Sequence, residues 1–113
     1  MDPTALDAAR AALLAEQERL TAELHEVIES PGQMTYGSQA AAATHVFEQQ
    51  RDLALRERAE QHLAEVRAAL ERIDEGTFGR CTNCGRSIAS ERLEALPWAA
   101  HCIDCQRELG RAR

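Results

Sequence analysis

The sequence predicts a mainly α fold: a long antiparallel helical hairpin of coiled-coil type, with a small four-cysteine module and a short C-terminal helix at one end. Three observations carry this expectation. Apolar residues recur at heptad spacing in two long segments, a Pro-Gly pair separates those segments, and the four cysteines stand in two tight pairs in the last third of the chain.

Composition agrees with a rod rather than a globule. Hydrophobic residues reach 44%, but much of that is alanine and aromatics are only 4% of the 113 residues, so little large side chain is available to fill a core. Charged residues at 28%, with abundant Ala, Leu, Glu and Arg, match long helices. The formal net charge of −6 is unevenly placed: residues 1–74 hold seven arginines against fourteen acids, residues 75–113 six against five. A phosphate-gripping surface needs clustered positive charge, so direct nucleic-acid binding is not expected. No apolar run of ~18 residues exists to span a membrane. The opening Met1-Asp2-Pro3-Thr4 lacks the basic and apolar regions of a secretory signal. Four cysteines without such a signal predict metal ligation in a reducing, cytoplasmic setting rather than disulfides.

The first helix should start at Asp2-Pro3 or Thr4, where proline is tolerated in the first turn. Leu6, Leu13, Leu20 and Val27 recur every seven residues, with Leu24 and Ile28 widening the stripe. Pro31-Gly32 should break the helix near Ser30, and Pro31 to Gly37 reads as a turn. Ser38 can cap a second helix that opens with the run Ala40 to Ala43 and ends by Gly76. Its seam is Ala59, Leu63, Val66, Leu70 and Ile73; Leu53 and Leu55 fit that seam less well and predict looser packing near the turn. Two helices joined this way run antiparallel, giving a hairpin over 1–75 with its tip near 31–40, and a second unit over 76–113.

Cys81-Thr-Asn-Cys84 is followed, after seventeen intervening residues, by Cys102-Ile-Asp-Cys105. Cysteines two residues apart bite one ion from a tight turn, and two such turns complete a tetrahedron, the arrangement of a structural Zn²⁺ site. Gly85 suits the left-handed backbone of such a knuckle. A redox dithiol needs only one pair, and four thiolates leave no open position for a catalytic water. One structural zinc per chain is therefore expected, with Cys81, Cys84, Cys102 and Cys105 as ligands and His101 beside them rather than among them. Phe78, Ile88, Leu93, Leu96 and Trp98 should form a small apolar core that depends on the metal to fold. Gln106 to Arg113 can form the short terminal helix, its arginines matching the helix's negative end. No nucleophile–base pair stands out and His45 has no evident partner, so no enzymatic activity is expected.

From Glu71 onward the residues fall into a known pattern: Glu-Arg-Ile-Asp-Glu-Gly-Thr-Phe-Gly-Arg, then Cys-x2-Cys-Gly-x2-Ile, Arg92-Leu93-Glu94-Ala95, Pro97 and Cys102-Ile103-Asp104-Cys105. Over about residues 70–105 this closely resembles the DksA/TraR family of C4-type zinc-finger transcription factors; the first helix and tip match in shape only. The resemblance implies a bacterial, cytoplasmic, monomeric protein that binds RNA polymerase without contacting DNA. It implies a coiled-coil tip inserted through the polymerase's secondary channel, with the zinc module and terminal helix on the channel rim. Arg92, Arg107 and Arg111 are then the rim-contact candidates. Two departures follow from the same alignment. The paired tip aspartates of the best-known members fall at Ser38 and Ala41, with only the alanine at Ala43 kept. The basic positions that help bind guanosine tetraphosphate fall at Glu65, Leu96 and Gln106, none basic, so that alarmone site is expected to be absent. The competing reading is a divergent coiled-coil and zinc-finger interaction protein with a non-polymerase partner or a tendency to self-associate.

Overall fold

The computed structural model describes residues 2–29 and 39–111, with side chains described over 2–26 and 42–111. Four helices follow one another: α1 (Pro3–Glu29), α2 (Gln39–Glu75), α3 (Ser90–Ala95) and α4 (Ile103–Arg111). Helix α1 starts where a cap is available. The Asp2 carboxylate accepts from the Thr4 amide at 3.3 Å, and Pro3 sits at the first helical position, where no amide is needed. The expected turn Pro31 to Gly37, the cap Ser38 and the stripe positions Val27 and Ile28 lie outside the described residues or side chains.

Helices α1 and α2 pack against one another along the predicted stripes. Leu13, Leu20, Ala59, Leu63, Val66 and Ile73 are buried, with Leu6, Leu24 and Leu70 partly covered against them. Leu13 and Val66 are 0% exposed, each contributing ~1.5–3 kcal/mol by burial. Ala69, one position off the predicted seam, is also fully buried, because its small side chain lets the helices approach. Toward the tip the packing thins, as Leu53 and Leu55 suggested: both are exposed, along with Val46 and Phe47. The antiparallel register set by this seam brings Arg10 within 3.6 Å of Asp74 and Glu16 within 3.7 Å of His62.

The end of α2 is closed by a glycine that the geometry requires. Gly76 has φ 80°, and its amide bonds to the Ile73 carbonyl at 3.2 Å while the Thr77 amide reaches back to Arg72 at 2.9 Å. These are the paired bonds of a Schellman cap, which satisfies the last carbonyls and turns the chain sharply into the cysteine module. Two helical details differ from expectation. The segment Arg92-Leu93-Glu94-Ala95 belongs to a one-turn helix, α3, which buries Leu93. Helix α4 begins at Ile103 rather than Gln106, so the second cysteine pair straddles its first turn, and the Gln106 amide bonds to the Cys102 carbonyl at 2.9 Å. No helix among the described residues is long and apolar enough to cross a membrane.

Candidate metal centre

The first cysteine pair sits on a knuckle held by backbone bonds. The Ile88 amide donates to the Gly79 carbonyl at 2.8 Å and the Cys81 amide to that of Arg86 at 2.8 Å, around the isolated bridge Arg80–Ser87. The Gly85 amide closes the turn on the Cys81 carbonyl at 2.9 Å, with φ 77° at Gly85 as the sequence required. The second pair comes from the start of α4, where three-residue spacing places Cys102 and Cys105 on one side of the first turn. Thr82 joins the two halves: its amide and its hydroxyl both donate to the Ala100 carbonyl, at 2.8 and 3.1 Å.

This framework brings the four predicted ligands together. The Sγ atoms of Cys81, Cys84, Cys102 and Cys105 all lie within 4.8 Å of one another. The Sγ atoms of Cys84 and Cys102 are 3.8 Å apart. A tetrahedral ion with Zn–S bonds of about 2.3 Å requires sulfur atoms separated by about 3.8 Å, so the spacing fits that ion. No disulfide joins the four cysteines; Cys81 and Cys105 are buried and Cys84 is exposed.

The surroundings favour sulfur in its ionised form at the first knuckle. Burial raises the Cys81 thiol, but backbone donors from Cys84, Cys102 and Asn83, aided by the Cys105 side chain, outweigh it and bring it down to about 5. The Arg86 backbone and side chain lower Cys84. Cys105 accepts from the Asn83 side-chain amide at 3.3 Å, which lowers its thiol, yet crowding by the other three sulfurs and burial push it up to about 12. Four close sulfurs cannot all carry charge without a cation among them, and a divalent ion removes that conflict. His101 stays outside the cluster: it is half-buried, and its backbone carbonyl accepts from Arg92 Nε at 3.1 Å.

Around the sulfurs, Phe78, Ile88 and Leu93 are buried, while Leu96 and Trp98 are half-buried. Trp98 does more than fill space. Its ring meets His62 of α2 edge to face, centroids 4.4 Å apart at 86°, and its carbonyl accepts from Arg72 at 3.5 Å. Burial lowers the Arg72 guanidinium, which Glu75 partly offsets. The loop before the second cysteine pair is thereby fastened to the hairpin. Sequence reasoning missed Asn83 as a sulfur donor and the His62–Trp98 contact. The first had a signal, an amide side chain inside the first cysteine pair; the second joins residues 36 positions apart and had none.

Comparison with known proteins now bears on these features. The prokaryotic dksA/traR C4-type zinc-finger family matches residues 76–109. Those residues are a DksA/TraR-type zinc finger. Its four thiolates hold one structural zinc ion. The resemblance extends to the whole fold. Transcription factor DksA2 from Pseudomonas aeruginosa superposes with a TM-score of 0.77 at 28% identity, over 99% of this chain and 88% of that one. General stress protein 16O of Bacillus subtilis is 32% identical over 103 residues, 86% of this chain and 63% of that protein. The RNA polymerase-binding transcription factor DksA of Haemophilus influenzae is 39% identical over 67 residues, 59% of this chain and 46% of that protein. Other curated relatives are matched over as little as 24% of their length.

The remaining sequence-predicted positions are less concentrated. Ser38 lies outside the described residues and Ala41 in α2 outside the described side chains, while Ala43 is exposed. Arg107 and Arg111 are exposed on α4, Arg111 paired with Glu108 at 3.1 Å. Arg92 is half-buried and holds the His101 carbonyl.

Proposed function

We propose that this protein binds RNA polymerase as a transcription regulator, entering the secondary channel with the tip of its hairpin while the zinc module rests on the rim. The observation that carries this reading is the fold-wide likeness to DksA2, over nearly the whole chain, of a long hairpin that leads into a C4 zinc module. The net charge of −6 supports a protein partner over DNA, and the polymerase reading places the protein in the cytoplasm, without enzymatic activity of its own. On this reading the hairpin of residues 1–75 reaches and the unit of 76–113 holds, with the exposed Arg107 and Arg111 as rim contacts and Arg92 engaged within the module.

The tip and the alarmone position set this chain apart. With Ser38 and Ala41 where relatives carry aspartates, the tip acts without added negative charge at the polymerase's catalytic metal. Glu65 is exposed and faces His62 at 3.4 Å, a position that repels a polyphosphate, so the effect on transcription is independent of guanosine tetraphosphate. A transcription assay with purified polymerase tests both points. The wild-type chain should associate with core enzyme, the alarmone should not strengthen its effect, and Ser38→Asp with Ala41→Asp should change the effect without abolishing binding. Absence of association with core polymerase would overturn the proposal.

A further inference from the structure

Helix α2 carries two apolar stripes, and among the described residues only one has a partner. The stripe against α1 runs through Ala59, Leu63, Val66 and Ile73, all buried. At about 100° per residue, a second stripe of Ala43, Val46, Phe47, Gln50, Leu53 and Ala54 clusters on the side of the helix roughly opposite the first. It faces solvent: Phe47 is 76% exposed, Leu53 54% and Val46 50%, and the other three are exposed as well. Its spacing, 43, 46, 47, 50, 53, 54, repeats steps of three and four, the pattern that receives another helix.

The order of residues within the stripe selects the occupant. Gln50 is its one polar member before Glu57 and lies midway between Ala43 and Glu57. If residue 50 faces its own copy across a two-fold axis in an antiparallel pair, Phe47 meets Leu53 of the other chain, Leu53 meets Phe47, and Val46 meets Ala54. The two Gln50 amides, each both donor and acceptor, can then bond to one another. Glu57, which ends the stripe, falls opposite Ala43, whose small side chain leaves the carboxylate open to water. No like charges oppose one another on the face. We propose that a second copy of this chain docks antiparallel on this face of α2, about an axis beside Gln50.

The contact is some three turns long, below the size of a standard stable interface, so the dimer is weak and forms at high concentration. The inference stands independently of polymerase binding. Should the polymerase reading also hold, dimer and polymerase complex exclude one another, because the face belongs to the tip half of the hairpin.

Sedimentation velocity on the zinc-loaded full chain tests the proposal over roughly 5 to 500 µM, a range that brackets weak association. The expected mass rises from the 12.5 kDa of one chain toward twice that value. Phe47→Asp and Leu53→Arg should each hold the protein at the single-chain mass. Combined in one chain they should restore association at least several-fold over either alone, since Asp at 47 then faces Arg at 53 twice. Leu14→Asp, on exposed α1 surface, should leave association unchanged, with circular dichroism tracking helix content throughout. A wild-type mass that stays constant to the top concentration overturns the proposal. So does a dimer indifferent to both single changes, and a double variant no better than the singles overturns the antiparallel register. Should the charged variants lose helix, Gln50→Leu decides: tighter association by about tenfold supports the face, and unchanged association overturns it.

Discussion

Val66 and Phe47 occupy one helix, nineteen residues apart, in opposite surroundings: the valine is 0% exposed and the phenylalanine 76%. The base half of the hairpin has an interior, made by α1, the seam of α2 and the zinc module together. The tip half has none among the described side chains. The difference follows from side-chain size and partner count. Near the base, Leu13 and Leu20 face Leu63 and Val66, and Phe78, Ile88 and Leu93 close the end. Toward the tip α2 is opened by alanines, and its large apolar residues Val46, Phe47, Leu53 and Leu55 are exposed, the first three on the side of the helix roughly opposite the seam. Stability is therefore concentrated at the base, and the tip is free to be shaped by whatever it meets.

Removing the metal should break this contrast most. Chelation, or Cys102→Ser, withdraws the ~10–16 kcal/mol of apparent zinc binding that such modules use to fold, and residues 76–111 should lose their structure while much of the hairpin's helix persists. Trp98 fluorescence reads the first change and far-ultraviolet circular dichroism the second. Acidification should act in the same direction, since protons compete with zinc for thiolates. For Cys81 the folded-state value of about 5 lies below the ordinary 9.0, so its ionised form favours the folded state fully above that ordinary value and the contribution is lost as pH falls through about 5. Zinc release monitored by a chromogenic chelator between those values checks the sign.

Core truncation comes next. Leu13→Ala should cost ~2–5 kcal/mol in urea denaturation, whereas Leu53→Ala should stay within about 0.5 kcal/mol. Equal losses at the two sites would erase the distinction between the halves. Gly76→Ala should cost about 1 kcal/mol, from the strain of a left-handed residue rather than from a clash, since nothing lies within 4 Å of the added carbon. Smallest of all, Arg10→Ala should cost no more than ~1 kcal/mol, because its partner Asp74 is an exposed carboxylate at 3.6 Å. Salt should reduce even that.

The sequence made the hairpin readable because heptad spacing is a local rule: Leu13, Leu20, Leu63 and Val66 could be assigned to a seam without knowing their partners. The metal centre was readable for the same reason, with each cysteine pair biting from its own short turn. What escaped were the contacts that join those units. That His62 would meet Trp98 and that Arg72 would reach the Trp98 carbonyl depend on how the module is turned on the hairpin, and that Asn83 would donate to Cys105 depends on how the two cysteine pairs fold together. Helix α3 escaped because one turn carries too little periodicity to register. The outward stripe on α2 was visible as a misfit at Leu53, but its meaning needed the exposures of Val46 and Phe47 beside it.

The cap at Gly76 has a mechanical consequence. No linker separates α2 from the zinc module; the Arg72 carbonyl alone accepts from the amides of Thr77 and Phe78, at 2.9 and 3.1 Å. The helix is thus a lever clamped at one end. With 37 residues at ~1.5 Å each, its arm is ~55 Å, so a turn of about 5° at the clamp swings the free end by about 5 Å, more than the diameter of a water molecule. Small residues at the joint, Gly76 and Thr77 among them, thereby control where a distant surface arrives, and the tolerance of that aim is set where the metal is bound.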